Sequence, residues 1–306
     1  MSDSPVAVTT PNLRQQGYRP ALGRRSLLSA GFQILGIGTF YLLIVIFFAF
    51  ATPNFLTYSN TLNILSNVTV IGIVAAGQVL AIISGGFDLS VSGVVPLGAV
   101  TFALLANSGL PTLAAILLVL AVGAVVGLCN GLIVTRLGIN PLITTLGTLS
   151  ITTGLAYTLS RGVTIPFRNP SAGVLADRTV GGLSYYVLAF ALTSVVAFAM
   201  LRYTVFGRTL YAIGGNREAS RLAGLRVDLL TVVVYMLCSM LAAFAGVVVS
   251  SQLLAGSATV GADAALQSIA AVILGGAALT GGVGGVPGTL IGVLVLGTIA
   301  NGMALM

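Results

Sequence analysis

The sequence predicts an all-α fold, a polytopic transmembrane helical bundle that includes broken, glycine-rich helices. Three observations predict it: 57% of the residues are hydrophobic, only 6% are charged, and the apolar residues form long runs separated by short polar connections. A soluble domain carries about 25% charged residues. Such a deficit of charge is typical of a chain that lies in a lipid bilayer.

Nine apolar runs are the predicted membrane-spanning elements, because crossing the hydrocarbon core takes about 20 helical residues. A polar tail at 1–32 precedes them, and a transmembrane domain at 33–306 follows. The first run is too long for a cleavable signal peptide and is interpreted as a retained anchor. In chain order the runs lie at about 33–51, 65–84, 91–107, 112–135, 141–160, 184–203, 227–250, 265–281 and 286–305.

The arginines set the predicted topology, since all 13 basic residues of the chain are Arg. With the N-terminus in the cytoplasm, ten of them fall on the cytoplasmic side and three on the external side. This asymmetry agrees with the positive-inside rule. The two most prominent loops are then an external one at about 161–183 and a cytoplasmic one at about 202–228.

The cytoplasmic loop at 202–228 is the most charged part of the chain, and its sequence favours a short helix. Asn216 is a suitable N-cap, Glu218 lies in the first turn, where the helix dipole favours an anion, and Gly224 can end the helix. A solvated loop with a passing helical turn is the alternative interpretation.

A single carboxylate, Asp88, lies between apolar runs in the stretch SGGFDLSVSG (84–93). It either caps a helix that starts at Leu89 or lines a polar path, since ionisable residues at membrane depth are costly and usually functional. GGFDLS (85–90) is echoed by GGAALT (275–280), and a proline follows each. Paired Gly/Pro interruptions in the two halves of a transporter point to its substrate path, with chance similarity as the alternative.

Several function classes are excluded by residues that the chain lacks. It has no His, and Cys129 and Cys238 lie inside apolar runs, so we expect no metal site and no disulfide. The glycine-rich stretch at 275–288 is not a phosphate-binding loop, because the chain contains no Lys. The acidic residues are far apart in sequence, so we expect no catalytic residues and no cofactor. The arginines at the ends of apolar runs indicate membrane topology and not nucleic-acid binding.

Four motifs occur in order within this hydropathy frame, and together they resemble the permease subunits of ATP-binding-cassette (ABC) importers for ribose and other simple sugars. This group belongs to the wider family of branched-chain amino acid and monosaccharide permeases. The motifs are GQVLAIISGGFDLSVSG (77–93), NGLIVTRLGINPLITTLGT (130–148), FGRTLYAIGGNREASRLAGLRVD (206–228) and SIAAVILGGAALTGGVGGVPGTLIG (268–292).

The resemblance implies a multi-pass permease in the bacterial inner membrane that is not itself an enzyme. Its implied partners are a second permease subunit in a homodimer, two cytoplasmic ABC ATPase subunits, an external sugar-binding protein, a monosaccharide and the lipid bilayer, with no nucleic acid. A neutral sugar suits a polar path that has no charged side chains to hold the substrate. The candidate pathway residues are Gln78, Ser84, Gly85, Gly86, Asp88, Ser90, Gly275, Gly276 and Thr280.

The cytoplasmic loop resembles the region that couples such permeases to their ATPases. Glu218, Ala219 and Gly224 match an E-A-A-x-x-x-G pattern, with Ser220 in place of the second Ala. The resemblance implies that this helix docks in a groove on the ATPase and moves with it. The candidate coupling residues are Gly215, Asn216, Arg217, Glu218, Ala219, Arg221 and Gly224.

Two alternatives to sugar import stay open at this point. The same architecture also serves importers of branched-chain amino acids or nucleosides, although GGxDLS resembles the sugar permeases more closely. A secondary transporter driven by an ion gradient is the other alternative. The order Ser92-Gly93 departs from the more usual Gly-Ser, and similar permeases continue beyond the position of Met306 through a further span. The chain is therefore expected to lack one span, unless its true number of spans differs from the nine counted above.

Overall fold

The computed structural model describes residues 25–179 and 181–306, which form a helical bundle, as predicted. The predicted tail at 1–32 lies largely outside the described residues, and helix α1 already begins at Arg25. The described α-helices are α1 Arg25–Ala51, α2 Tyr58–Ile83, α3 Val91–Asn107, α4 Thr112–Arg136, α5 Pro141–Ser160, α6 Tyr185–Tyr203, α7 Val205–Gly215, α8 Arg217–Leu222, α9 Val227–Leu253, α10 Ala264–Leu274 and α11 Val286–Leu305.

The apolar runs of the sequence correspond to α1–α6 and α9–α11, while α7 and α8 lie in the loop predicted to be cytoplasmic. Six of the described helices, α2, α4, α5, α6, α9 and α11, are long and apolar enough to cross a membrane. Three shorter apolar helical segments are Leu35–Ala51 of α1, α3 and α10, and the predicted run at 265–281 forms a helix only as far as Leu274. The number of crossings stays a prediction.

Helix α9 lies at the centre of the bundle and packs against α2, α3 and α4. Its Val247 is fully buried, as are Val74 of α2 and Val94 of α3. The outer helices expose large apolar side chains, and Phe50 of α1 is 90% exposed. Apolar side chains on both the inner and the outer surface are expected for a bundle surrounded by lipid.

A row of glycines on α4 allows the close contact with α9. Gly123, Gly127 and Gly131 recur every four residues and face the backbone of α9. A Cβ atom added at each would come within 2.6 Å of the Ser239 carbonyl oxygen, the Met236 Cα or the Val232 Cα, respectively. Small residues at this spacing let two membrane helices approach closely, where van der Waals contacts replace the hydrophobic effect as the source of stability.

We therefore expect Gly127→Leu to destabilise the bundle by about 3 kcal/mol or more, because a large side chain would have to separate two tightly packed backbones. Gly36→Leu on α1 is the matched control, since nothing lies within 4 Å of a Cβ added there. Thermal unfolding of both purified variants in detergent tests this prediction. Equal melting temperatures for the two variants would contradict it.

The loop predicted to be external packs over the adjacent ends of α3, α4 and α9. Strand β1 (Ile165–Pro166) pairs antiparallel with β2 (Ala255–Gly256), and a 3-10 helix follows at Pro170–Ala176. The Asn107 side chain at the end of α3 donates to the Pro166 carbonyl at 2.9 Å and accepts from the Arg168 amide at 2.8 Å. This part of the loop is thus an ordered cover over the helix ends.

Candidate functional site

Asp88 is fully buried in the connection between α2 and α3. Its Oδ1 accepts hydrogen bonds from the Ser90 amide at 2.9 Å and from the Ser90 hydroxyl, and its Oδ2 accepts from the Ser239 hydroxyl at 3.3 Å. Helix α3 begins at Val91 with Ser90 at the N-cap. The sequence suggested that Asp88 caps a helix starting at Leu89. In the structure Asp88 instead orders the turn that precedes α3.

A network of buried and half-buried side chains extends from Asp88 to the neighbouring helices. Asn130 of α4 donates to the Ser90 hydroxyl oxygen at 2.9 Å, and Thr148 of α5 donates to the Asn130 amide oxygen at 2.6 Å. Gln78 of α2, with its amide oriented so that both of its groups find partners, bonds the Asp88 backbone carbonyl at 3.2 Å and amide at 3.3 Å. This polar cluster joins α2, α3, α4, α5 and α9 around one carboxylate.

The two similar sequence stretches at 85–90 and 275–280 begin with the same backbone turn. Gly85 and Gly276 each follow the end of a helix with positive φ, at 82° and 88°. The Gly86 amide donates to the Ala81 carbonyl at 2.9 Å, and the Ala277 amide donates to Val272 at 3.2 Å. These bonds reach back over the last helical turn in the pattern of a Schellman motif. Helices α2 and α10 therefore end in the same turn, but the two stretches are offset by one residue, because Gly85 is the first glycine of its pair and Gly276 is the second.

The turns that follow α2 and α10 touch each other and also touch the end of α7. The Gly282 amide donates to the Ile83 carbonyl at 2.9 Å. A Cβ added at Gly281 would lie 2.9 Å from the Gly85 Cα and 3.0 Å from the Gly214 Cα. We call Gly85, Gly214, Gly281 and Gly282 the glycine junction. It brings the start of the first similar stretch and the residues directly after the second one into one contact with the helix that precedes α8.

Helix α8 is the short helix that the sequence predicted within the 202–228 loop. The Asn216 side chain accepts from the Glu218 amide at 3.1 Å and from the Ala219 amide at 2.9 Å. Gly224 follows the helix with φ of 80°. The predicted N-cap and the predicted end are both confirmed.

The two arginines of α8 are tied to the start of α9. Asp228 accepts from Arg221 at 2.8 Å and forms an ion pair with Arg217 at 3.6 Å. The outward-facing residues of α8 include Glu218 and Leu222, and the Leu222 side chain is 86% exposed. The sequence interpretation did not single out Leu222.

The predicted pathway residues differ in accessibility, whereas the predicted coupling residues do not. Gln78, Ser84, Gly86, Asp88, Ser90 and Gly275 are buried, Gly276 is half-buried, and Gly85 and Thr280 are exposed. The coupling candidates Gly215, Asn216, Arg217, Glu218, Ala219, Arg221 and Gly224 are all exposed.

Two cavities adjoin these elements. A cavity of about 510 Å³ is lined by Gly275, Gly276 and Tyr211, together with arginines from α6 and α7. A second cavity of about 390 Å³ lies between α3, α5 and the segment after β2. Five hydroxyl-bearing residues line it, which suits a neutral polyol: Ser92, Ser150, Thr153, Tyr157 and Thr259.

Comparison with known proteins identifies the family of this chain. Residues 60–306 match the family described as the permease component of the branched-chain amino acid transport system. The chain belongs to this family. It is therefore a multi-pass membrane protein, in agreement with its six long apolar helices.

The similar curated proteins are named as permeases of sugar importers. The ribose import permease protein RbsC of Bacillus subtilis is 37% identical, with 88% of this chain and 84% of the relative covered. The ribose import permease protein RbsC of Escherichia coli K12 is 36% identical, with 83% of this chain and 81% of the relative covered. The L-arabinose ABC transporter permease protein AraH of Azospirillum brasilense is 34% identical, with 100% of this chain and 87% of the relative covered. No solved structure matches the chain.

Proposed function

We propose that this protein is the membrane-spanning permease subunit of an ABC importer that moves a monosaccharide into the cytoplasm. The observation that carries the proposal is the similarity, over most of the chain, to permeases named for ribose and for L-arabinose. The hydroxyl-lined cavity between α3 and α5 is consistent with a neutral, hydroxyl-rich substrate. In this proposal ATP is hydrolysed on a separate subunit, and the permease itself is not an enzyme.

The proposed assembly contains two copies of this chain, two cytoplasmic ABC ATPase subunits and an external sugar-binding protein. The chain would lie in the bacterial inner membrane with its N-terminus in the cytoplasm, an orientation supported by the ten-to-three distribution of its arginines. Helices α7 and α8 would then face the ATPase. The packed loop around the 3-10 helix would face the binding protein.

Helix α8 is the proposed contact with the ATPase. Its exposed face offers Glu218, Ala219 and Leu222, while Arg217 and Arg221 hold the helix against Asp228 of α9. These three residues are exposed and can contact a partner. Movement of α8 would pass through α7 to the glycine junction, and so to the ends of α2 and α10. The nine pathway candidates on and near these ends stay predictions.

Reconstitution of the complete transporter tests the proposed function. The permease, the ATPase and the binding protein in proteoliposomes are expected to accumulate a labelled pentose or hexose only when ATP is supplied on the ATPase side. Uptake of branched-chain amino acids or nucleosides in place of sugars would contradict the substrate class. Uptake that follows an ion gradient without the ATPase would contradict the importer class.

Reversing the charge of Glu218 tests the coupling surface. We expect Glu218→Arg to lower both ATPase co-purification and sugar-stimulated ATP turnover about tenfold or more, because a charge reversal at a docking surface costs well over 1 kcal/mol. Membrane insertion should not change. Asp177→Arg, an exposed reversal in the 161–183 loop, is the matched control for ATPase co-purification alone, because that loop is proposed to face the binding protein, and it should retain the ATPase. Unchanged turnover in Glu218→Arg would remove the coupling assignment.

A further inference from the structure

The 510 Å³ cavity between the end of α6, helix α7 and the segment 275–288 has a feature that sugar transport does not explain. Two arginines line it, Arg202 in the last turn of α6 and Arg208 in α7, and both are exposed. Within the described part of the chain, the ion pairs join Asp228 to Arg217 and Arg221. Neither Arg202 nor Arg208 has a carboxylate partner there, so two uncompensated positive charges share one cavity.

The remaining wall of this cavity is largely apolar. Phe198 and Leu201 of α6 contribute to it, together with Val283, Val286 and Pro287 of the segment before and at the start of α11. Because α6 is long and apolar enough to span the membrane and Arg202 lies in its last turn, we expect the cavity to lie where hydrocarbon meets the headgroup region. Its chemistry is thus divided between a cationic end and an apolar end.

The floor of the cavity is held in place by Tyr211 of α7. Its hydroxyl donates to the Gly284 carbonyl at 2.8 Å. Burial raises the pKa of the Tyr211 phenol above its usual value, and the nearby Arg202 guanidinium opposes this rise. The phenol therefore stays protonated and keeps its donor role at neutral pH. The glycine-rich segment is fixed relative to both arginines by this bond.

We propose that this cavity binds an anionic phospholipid, with the headgroup phosphate between Arg202 and Arg208 and an acyl chain along Phe198 and Leu201. Basic pockets beside membrane helices on the cytoplasmic side are suited to anionic headgroups. A free phosphate would leave the apolar wall unused. The assignment to the cytoplasmic leaflet rests on the orientation in the proposed function.

Occupancy of this cavity would influence the coupling elements directly. Tyr211, Gly275 and Gly276 line the cavity, and the glycine junction lies at the end of the same α7 helix. A bound lipid would therefore stabilise the contact between α7 and the turn after α10. The expected consequence is that transport depends on anionic lipid in the bilayer.

Native mass spectrometry of the purified full chain, titrated with phosphatidylglycerol or phosphatidylcholine, tests the site. The parent protein should prefer phosphatidylglycerol, and Arg202→Gln/Arg208→Gln should lose about 30-fold of that preference, as expected for two charges at an anionic surface. Arg161→Gln/Arg168→Gln removes the same charge from the 161–183 loop and should keep the preference.

Three results would overturn the lipid site. They are an unchanged preference in the Arg202/Arg208 double variant, an equal loss in the Arg161/Arg168 control, and displacement of phosphatidylglycerol by millimolar inorganic phosphate, which would indicate a simple phosphate site. Lipid binding is measured without sugar, ATPase or binding protein. Failure of this proposal therefore leaves sugar import untouched, and failure of sugar import leaves the binding result standing.

Discussion

Gly214→Ala is expected to reduce sugar transport about tenfold or more, whereas Gly36→Ala, at an open position of α1, is expected to have little effect. A Cβ at Gly214 would overlap the Ile83 carbonyl oxygen and the Gly282 amide nitrogen. These two atoms are the partners of the hydrogen bond that joins the turns after α2 and α10. The new methyl group must break that bond or push α7 away from it, and overpacking of this kind typically costs 1–3 kcal/mol.

The paired variants isolate the steric effect. Both replace a helical glycine by alanine, so both gain helix propensity of about 1 kcal/mol. Nothing lies within 4 Å of a Cβ at Gly36. Because all the obstructing atoms at Gly214 belong to the backbone, no side chain can rotate away to make room.

ATP-driven uptake by the reconstituted transporter and ATPase co-purification are the two measurements for this pair. Gly214→Ala should still insert in the membrane and bind the ATPase through α8, while uptake falls. This combination would separate docking from transmission of movement. Normal uptake by Gly214→Ala would show that the glycine junction does not transmit the movement of α8.

Much of this architecture is encoded locally and was predictable from the sequence. Helix α8 follows from three residues within nine positions, because Asn216, Glu218 and Gly224 supply the cap, the dipole partner and the end. The turns that end α2 and α10 are also local in origin, since Gly85 and Gly276 each permit the positive φ that ends a helix. The clustering of the turns that follow was not predictable, because it depends on how the bundle packs.

The surroundings of Asp88 show the limit of local reasoning more clearly. Its own sequence indicated a helix cap or a polar path, but its hydrogen-bond network includes Asn130, Thr148 and Ser239, which are 40 to 151 positions away from Ser90 or Asp88. None of the three belongs to a recognisable motif for a buried carboxylate. Serine, threonine and asparagine are common in membrane helices, so only the packing of α4, α5 and α9 selects these members.

Replacing Asp88 by two different residues separates its possible roles. Asp88→Ala is expected to destabilise the protein by roughly 3 kcal/mol, because it removes the charged acceptor of the Ser90 amide, the Ser90 hydroxyl and the Ser239 hydroxyl. The turn before α3 would lose its organising group. Asp88→Asn keeps an oxygen for Ser90 and places an amide donor next to the Ser239 oxygen, which can accept.

We expect Asp88→Asn to keep both the melting temperature and sugar uptake of the parent. The side chain is fully buried and all its described partners are hydroxyl or amide groups, so shape and acceptor position matter more than charge. Removing a carboxylate also removes the cost of burying its charge, which is considerable at membrane depth. Thermal unfolding in detergent and ATP-driven uptake are the measurements. If Asp88→Asn is as stable as the parent but does not transport, the carboxylate acts in the substrate path and its role is not confined to ordering the turn before α3.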